Sequence, residues 1–403
     1  MKKLGVLLTT TIMAAGALVS CSGNGGKVKI GVIREDATSG ESLAWESYLK
    51  ELGNQMNITF DFTTTSTSTE EVQAINTYAS KGFKGVFLLS AQDMVASISA
   101  ANKKKMYVVS PTGHPTSEQL SQIEDLPYYL GSVAPTSDTE FEAGYNLAKY
   151  FVESLGRTNF TIFGGATLFA SDMHVSRLTG MMKYLCEDET TTYDGSTDRY
   201  DIYGKVIGAG VDTTKFSSTR YQISGYMHGF EFNESFSVAL ANSLYAGGTA
   251  VLSVGATDAV TGIAYGIAAS SNGAITDLKT GGIDAITPEY ASFFDMGYTY
   301  DCGKYASAMA PALCLMKSAL DGNKVTENGK AVKIGLQYWA ATSKDALLSM
   351  TTKESAEYGY LYNAEVVNGI VGADDVLTEV KNLAGADYAG AEAIHDRYNS
   401  ANK

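Results

Sequence analysis

Gly85-Val86-Phe87-Leu88-Leu89-Ser90-Ala91-Gln92-Asp93 opens with five residues that carry no polar side chain and closes in a polar turn. An uninterrupted apolar run of that length, bounded by turn residues, reads as a strand buried on both faces of a parallel sheet. The alternation repeats outward from it. Upstream, Val28-Lys29-Ile30-Gly31-Val32-Ile33 is a β-branched strand, Arg34 to Gly40 a polar loop, and Glu41 to Leu52 a helix by its apolar spacing. Ile58 to Phe62 is a second strand, and the Thr/Ser cluster Thr63 to Thr69 caps the helix Glu70 to Ser80. Downstream, Asp93 to Asn102 is a crossover helix and Lys105 to Ser110 a fourth strand. Strands separated by helices of about ten to fifteen residues predict an α/β fold built on a doubly wound parallel sheet.

The pattern then starts again. Strands are expected at Tyr128 to Val133, Asn159 to Phe163, Thr249 to Val254 and Gly282 to Ile286, with helices at Asp138 to Ser154, Asp172 to Glu187, near Glu234 to Ala246, and Ala259 to Ala268. Residues 188–232 read as short strands and surface loops. Ala306 to Leu320 is helical, Val332 to Trp339 a late strand, and the remaining C-terminal segment mixed and acidic. At 403 residues the chain is too long for one ordinary core. No low-complexity linker divides the halves, which suits a chain that crosses between two domains more than once.

Hydrophobic residues at 45% and charged residues at 18% exclude intrinsic disorder for most of the chain. The net charge of −14 opposes a phosphate backbone, so nucleic acid is not an expected partner. Met1-Lys2-Lys3 followed by the uncharged run Leu4 to Val19 reads as an export signal over residues 1–20. Leu18-Val19-Ser20-Cys21 resembles the lipobox of bacterial lipoproteins, which implies lipidation at Cys21; residues 21–27 then form a flexible tether. Removing the first 20 residues takes away two lysines and no acid, so the exported chain carries −16. Its membrane attachment would come from lipid rather than from charge. Cys186, Cys302 and Cys314 show no metal spacing and are expected as buried free thiols.

The order of elements, with the stretch 85–93, then Tyr107-Val108-Val109-Ser110, then Tyr129-Leu130-Gly131-Ser132-Val133-Ala134-Pro135, resembles the type 1 periplasmic binding proteins. Ser176-Arg177-Leu178-Thr179-Gly180 is similar to that family's Arg-x-x-Gly helix start. Ala256-Thr257-Asp258-Ala259-Val260-Thr261-Gly262 is similar to its Asn-Asp-x-x-Ala-x-Gly segment, and Gly281-Gly282-Ile283-Asp284 to its Val-Gly-x-Asp strand end. The chain departs from the pattern at Thr257, where asparagine is usual, and at Gly262, one residue early. The resemblance implies two doubly wound parallel-sheet lobes joined by three crossovers, with a ligand between them. The expected division is 28–133 plus 288–331 for the N-terminal lobe and 134–287 plus 332–403 for the C-terminal lobe, with crossovers near Val133–Pro135, Ile286–Pro288 and Lys330–Val332.

Open α/β sheets bind ligands in the crevice beyond their strand ends, so contacts are expected on loops that follow strands. Those loops offer Glu35 and Asp36, with Trp45 in the first helix, then Gln92 and Asp93, then Ser137 and Asp138, then Phe169, Asp172 and Arg177, and finally Asp258 and Asp284. Carboxylates and an arginine around an aromatic ring suit a polyol, because each bonds two hydroxyls while the ring takes an apolar face. A structural role competes at several positions. Asp93, Asp138 and Asp172 can each cap a helix, Arg177 can pair with a neighbouring acid, and Trp45 lies at helical spacing with Leu49 and Leu52.

His114, His174, His228 and His395 show no paired metal spacing, and neither a GxSxG elbow nor a phosphate loop is present. Neither a cofactor nor an enzymatic activity is expected. The resemblance implies a lipid-anchored, extracytoplasmic solute-binding subunit, monomeric, that captures a sugar or sugar-like molecule for the permease of an ABC importer. A nucleoside ligand on the same fold, and a sensor that presents ligand to a membrane receptor or kinase, are the alternatives; a transcriptional regulator is disfavoured by the export signal.

Overall fold

The structure, a computed structural model, describes residues 27–166 and 172–400. The expectations for the export signal, Cys21, most of the tether and Phe169 lie outside these residues.

Among the described residues fourteen strands run in chain order. They are β1 (Val28–Arg34), β2 (Ile58–Thr64), β3 (Gly85–Leu88), β4 (Tyr107–Ser110), β5 (Tyr129–Ala134), β6 (Asn159–Phe163), β7 (Thr192–Tyr193), β8 (Phe216–Ser217), β9 (Gln222–Met227), β10 (Ala250–Ser253), β11 (Lys279–Ala285), β12 (Tyr298–Lys304), β13 (Val332–Gly335) and β14 (Trp339–Ala341). β7 and β8 form a two-stranded ribbon, and the other twelve make two sheets of six. The first has the order β13-β5-β4-β3-β1-β2 and is parallel throughout. The second has the order β14-β12-β11-β10-β6-β9 and is parallel except at β14.

The opening stretch behaves as its apolarity demands. Successive side chains of a strand point to opposite faces, so Phe87 and Leu89 enter one core while Val86 and Leu88 enter another. Both faces of the first sheet are therefore covered, and the second sheet is covered likewise, with Phe160 and Leu252 on one side and Phe163 and Val251 on the other.

In the first sheet β3 returns to the far side of β1 from β2, and in the second β10 returns to the far side of β6 from β9. Each reversal leaves a crevice beyond the strand ends, the standard ligand position in such sheets. The chain passes between lobes after β5, after β12, between β13 and β14, and again after β14, where C-terminal helices return to the first lobe.

Two of the three crossovers and the lobe boundaries differ from expectation. β12 belongs to the second sheet, which moves residues 298–304 out of the N-terminal lobe and places the second crossing at Lys304 to Ala306. The run Val332 to Trp339, expected as one strand, breaks at Leu336 to Tyr338: β13 pairs with β5 in the first sheet and β14 with β12 in the second. The helices Ala364–Val371 and Val376–Ala384 pack on Ala310–Leu320 in the core of the first lobe. The C-terminal segment thus attaches to the N-terminal lobe, against the expected assignment of 332–403.

β12 was hidden by its own composition. Tyr298-Thr299-Tyr300-Asp301-Cys302-Gly303-Lys304 carries a carboxylate at its centre, yet Asp301 is 0% exposed. Tyr298 donates a hydrogen bond of 2.9 Å to it, and burial pushes its carboxyl well above the usual range. β9, inside the interval expected to hold only short strands and loops, is an edge strand, where one paired side suffices and polar residues are tolerated.

Candidate ligand-binding site

Two cavities lie between the lobes. The first, about 480 Å³, takes Ser39, Glu41 and Leu43 from the start of the helix Gly40–Gln55, and Asp258, Asp284, Glu289, Tyr290 and Phe293 from the second lobe. The second, about 610 Å³, lies between the loop 112–117 and the N-terminal ends of the helices Ser137–Lys149 and Asp172–Leu185, with Lys304 and Lys333 on its wall. Lys304 and Glu41, which line different cavities, meet in an ion pair of 3.0 Å. That pair links the linings of the two spaces.

Local sequence explains how the first cavity is built. Ser39 caps the helix Gly40–Gln55 by accepting a hydrogen bond from Ser42 N, which aims the first turn at the second lobe. Asp36 holds the preceding loop, since its carboxylate accepts from Thr38 N and Oγ1 and from Ser39 N at 2.7–2.9 Å. The bonds from Ser39 and Thr38 lower the Asp36 pKa strongly. In the second lobe Ala256 adopts φ 46°, a left-handed turn between β10 and the helix Thr257–Ser270. Strain of this kind is tolerated at sites it serves to shape. The turn brings Thr257 N to 3.1 Å from Asp284 Oδ2, and Tyr290 OH donates to the same oxygen at 3.3 Å.

Four carboxyl groups, those of Glu41, Asp258, Asp284 and Glu289, line this cavity, and Lys304 pairs with Glu41 from the wall of the other. Burial, together with the charge of Asp284, raises the Glu41 pKa, and Lys304 partly offsets this; burial also raises Asp284, offset by the Thr257 amide. Both carboxylates gain from hydroxyl donors. Tyr290 and Phe293, with Leu43 at 52% exposure opposite, supply the apolar surface.

The structure brings Asp258 and Asp284 together in the first cavity, and Ser137, Asp138 and Asp172 in the second. Ser137 donates to Asp172 at 2.8 Å, Tyr203 donates to the other Asp172 oxygen at 2.5 Å, and Asp138 pairs with Arg199 at 2.6 Å. Glu35 and Asp36 lie with Trp45 along a smaller recess of about 130 Å³ beside Glu41.

Four expected contacts have other work. Gln92 and Asp93 line a shallow surface hollow of the first lobe alone, and Asp93 caps the helix Met94–Lys103 through Ala96 N. Trp45 is 6% exposed within the core, donates from Nε1 to Tyr305 O, and carries Lys304 over its ring at 5.1 Å. Arg177 is 3% exposed and lines neither interlobe cavity.

The Arg-x-x-Gly spacing has a packing reason here. A Cβ on Gly180 would lie 2.0 Å from Phe141 O, and one on Gly144 1.8 Å from Arg177 O, so the helices Ser137–Lys149 and Asp172–Leu185 touch backbone to backbone. That contact brings Arg177 Nε to 2.7 Å from Glu140 Oε2. The guanidinium also donates to Val254 O, Ile283 O and Tyr338 OH, and Tyr338 donates to Glu140 Oε1 at 2.7 Å. Burial opposes the charge, and Glu140 outweighs burial, so Arg177 stays protonated.

Glu41, Glu289, Tyr290, Phe293 and Lys304 were missing from the expected contacts. Glu41 was legible only as a helix start, and the others fall around β12, which the sequence pattern does not show. Among the described residues no cluster of three or more potential metal ligands occurs, and no helix is long and apolar enough to cross a membrane.

No protein-family model and no curated protein matches the chain. Solved structures do. An ABC transporter periplasmic solute-binding protein from Actinobacillus succinogenes 130z with bound D-allose superposes with a TM-score of 0.57 at 13% identity, covering 80% of this chain and 100% of that one. An ABC transporter solute-binding protein from Bacillus halodurans C-125 with bound myo-inositol gives 0.54 at 14% identity, over 82% and 99%. The transcription regulator CcpA of Lactococcus lactis gives 0.52 at 15% identity, over 79% and 99%. Chains with different tasks share this architecture, so similarity at this level speaks for the fold and leaves function to the site. With two doubly wound sheets, a chain that crosses repeatedly between them and crevices that face each other, the chain has the fold of the type 1 periplasmic binding proteins.

Proposed function

We propose that this protein binds a sugar or a sugar-like polyol between its lobes and releases it unchanged, as the solute-capturing subunit of an ABC importer held at the outer face of a membrane by lipid on Cys21. The observation that carries the reading is the first interlobe cavity, where Glu41, Asp258, Asp284 and Glu289 surround Tyr290 and Phe293. Carboxylates accept from two hydroxyls each, and the rings take the C–H face of a sugar. Bound D-allose and myo-inositol in two similarly folded proteins support the same ligand class. The acid-rich lining disfavours an anionic solute. A nucleoside held between aromatics from both lobes gains no support, because Leu43 and polar residues form the first-lobe wall.

Thermal-shift screening against aldoses, inositols and nucleosides tests the reading. A polyol at 100 times its Kd should stabilise the protein by about 2.7 kcal/mol. Asp284→Asn should weaken that ligand about tenfold or more, the loss of one charge-assisted bond to hydroxyl. Stabilisation by nucleosides alone, or unchanged affinity in Asp284→Asn, refutes the proposal.

A further inference from the structure

The second interlobe cavity is larger than the first and is not needed by a single sugar ring bound at Asp258 and Asp284. Each cavity alone has the size of a small-molecule pocket, roughly 300–1,000 Å³. Both are walled by both lobes, so neither is a surface hollow of one domain. They differ in lining. The first carries Tyr290, Phe293 and Leu43; the second carries neither Tyr nor Phe, and Met173 and two prolines stand there among hydroxyl-bearing and charged residues.

Polar groups of the second cavity keep unused bonding capacity on opposite walls. On the first-lobe side Lys333 is exposed and, among the described residues, makes no ion pair, so its three donors are free. On the second-lobe side each oxygen of Asp172 accepts one bond, from Ser137 and Tyr203, and each has room for another. Tyr203 and Arg199, which hold Asp172 and Asp138 in place, lie in the helix Arg199–Val206 of the segment 188–217 inserted after the helix Asp172–Leu185. His114 contributes shape rather than charge. It bridges Ser132 Oγ and Ala134 O at 2.7 and 2.9 Å, and burial together with Lys333 lowers its pKa to about 4.

We propose, on the basis of the sugar-capture reading, that the ligand is a two-ring saccharide whose units lie on either side of the Lys304–Glu41 pair. One ring sits on Tyr290 and Phe293 among the carboxylates. The second lies between Lys333 and Asp172, and the ion pair faces the linkage between the rings. A single aldose would leave the second compartment's donors and acceptors to water.

Calorimetric titration of the full chain with free aldoses and with disaccharides made from them tests this. At least one disaccharide should bind about tenfold more tightly than either component, the worth of one more set of satisfied polar contacts. Ser117→Trp, which puts an indole into the second compartment from an exposed position without a side-chain hydrogen bond, should erase that preference, and Lys333→Ala should reduce it. An aldose that binds as tightly as every disaccharide containing it, or a preference untouched by both substitutions, overturns the two-ring proposal while leaving sugar capture standing. A chain stabilised by no carbohydrate overturns both.

Discussion

Arg177→Ala is expected to cost stability before it costs affinity. Arg177 and Glu140 are 3% and 5% exposed, and the guanidinium, the carboxylate and Tyr338 OH close a ring of bonds at 2.7–2.8 Å. Removing the arginine strands a buried carboxylate and takes donors from two strand-end carbonyls, Val254 O and Ile283 O. Breaking a buried pair in this way costs about 3–5 kcal/mol. For a cooperative unit the size of one lobe, each kcal/mol lowers Tm by about 2–4 °C, so the drop should fall between about 6 and 20 °C. Scanning calorimetry of the ligand-free protein measures it. The pair Arg177→Met with Glu140→Gln, which strands no charge, should recover part of the loss. A single variant that melts within about 2 °C of the parent, or a double variant no more stable than the single one, refutes the reasoning and returns Arg177 to the ligand.

Two further outcomes follow from buried groups. Glu354 caps the turn at the second crossover, accepting from Ser307 N at 2.6 Å and Ser307 Oγ at 2.8 Å, and burial raises its pKa from 4.5 to about 7. A raised pKa means the folded state holds the proton more tightly, so this contribution is complete below pH 4.5 and is lost as pH rises through 7, about 3 kcal/mol in all. Melting curves from pH 4.5 to 8 should therefore fall more steeply for the parent than for Glu354→Gln, and parallel curves would discount the effect. Cys186, Cys302 and Cys314 are buried free thiols; burial raises the pKa of Cys186 to about 11 and of Cys302 to about 12, and pushes Cys314 further up. Site-resolved alkylation at pH 8 should leave all three unmodified until denaturant is added, and rapid labelling of any one would show that its site opens.

How far the sequence carried depended on how much of each decision was local. Val86 to Leu89 needed only their own apolarity to be read as a doubly buried strand. The helix starts at Thr67, within the Thr/Ser cluster, and at Asp93 needed only the capping residue and the amides that follow it. That Asp258 and Asp284 line a crevice was legible because a loop beyond a strand end of a parallel sheet faces it. These features depend on contacts within one or two turns of chain.

The rest was decided by neighbours far away in sequence. Whether Arg177 meets ligand or acid depends on Gly144 and Gly180 bringing two helices into backbone contact. Whether Trp45 is exposed depends on Tyr305 O and Lys304 arriving from the second crossover. β12 is a central strand because its neighbours supply hydrogen bonds on both sides and bury Asp301, and a pattern search weighs only the carboxylate. Periodicity and capping are properties of a segment, so the sequence by itself determined two α/β lobes and most of their elements. Ion pairing and burial are properties of a place, and only the folded chain decided that Glu41 and Lys304, rather than Trp45 and Arg177, stand at the cleft.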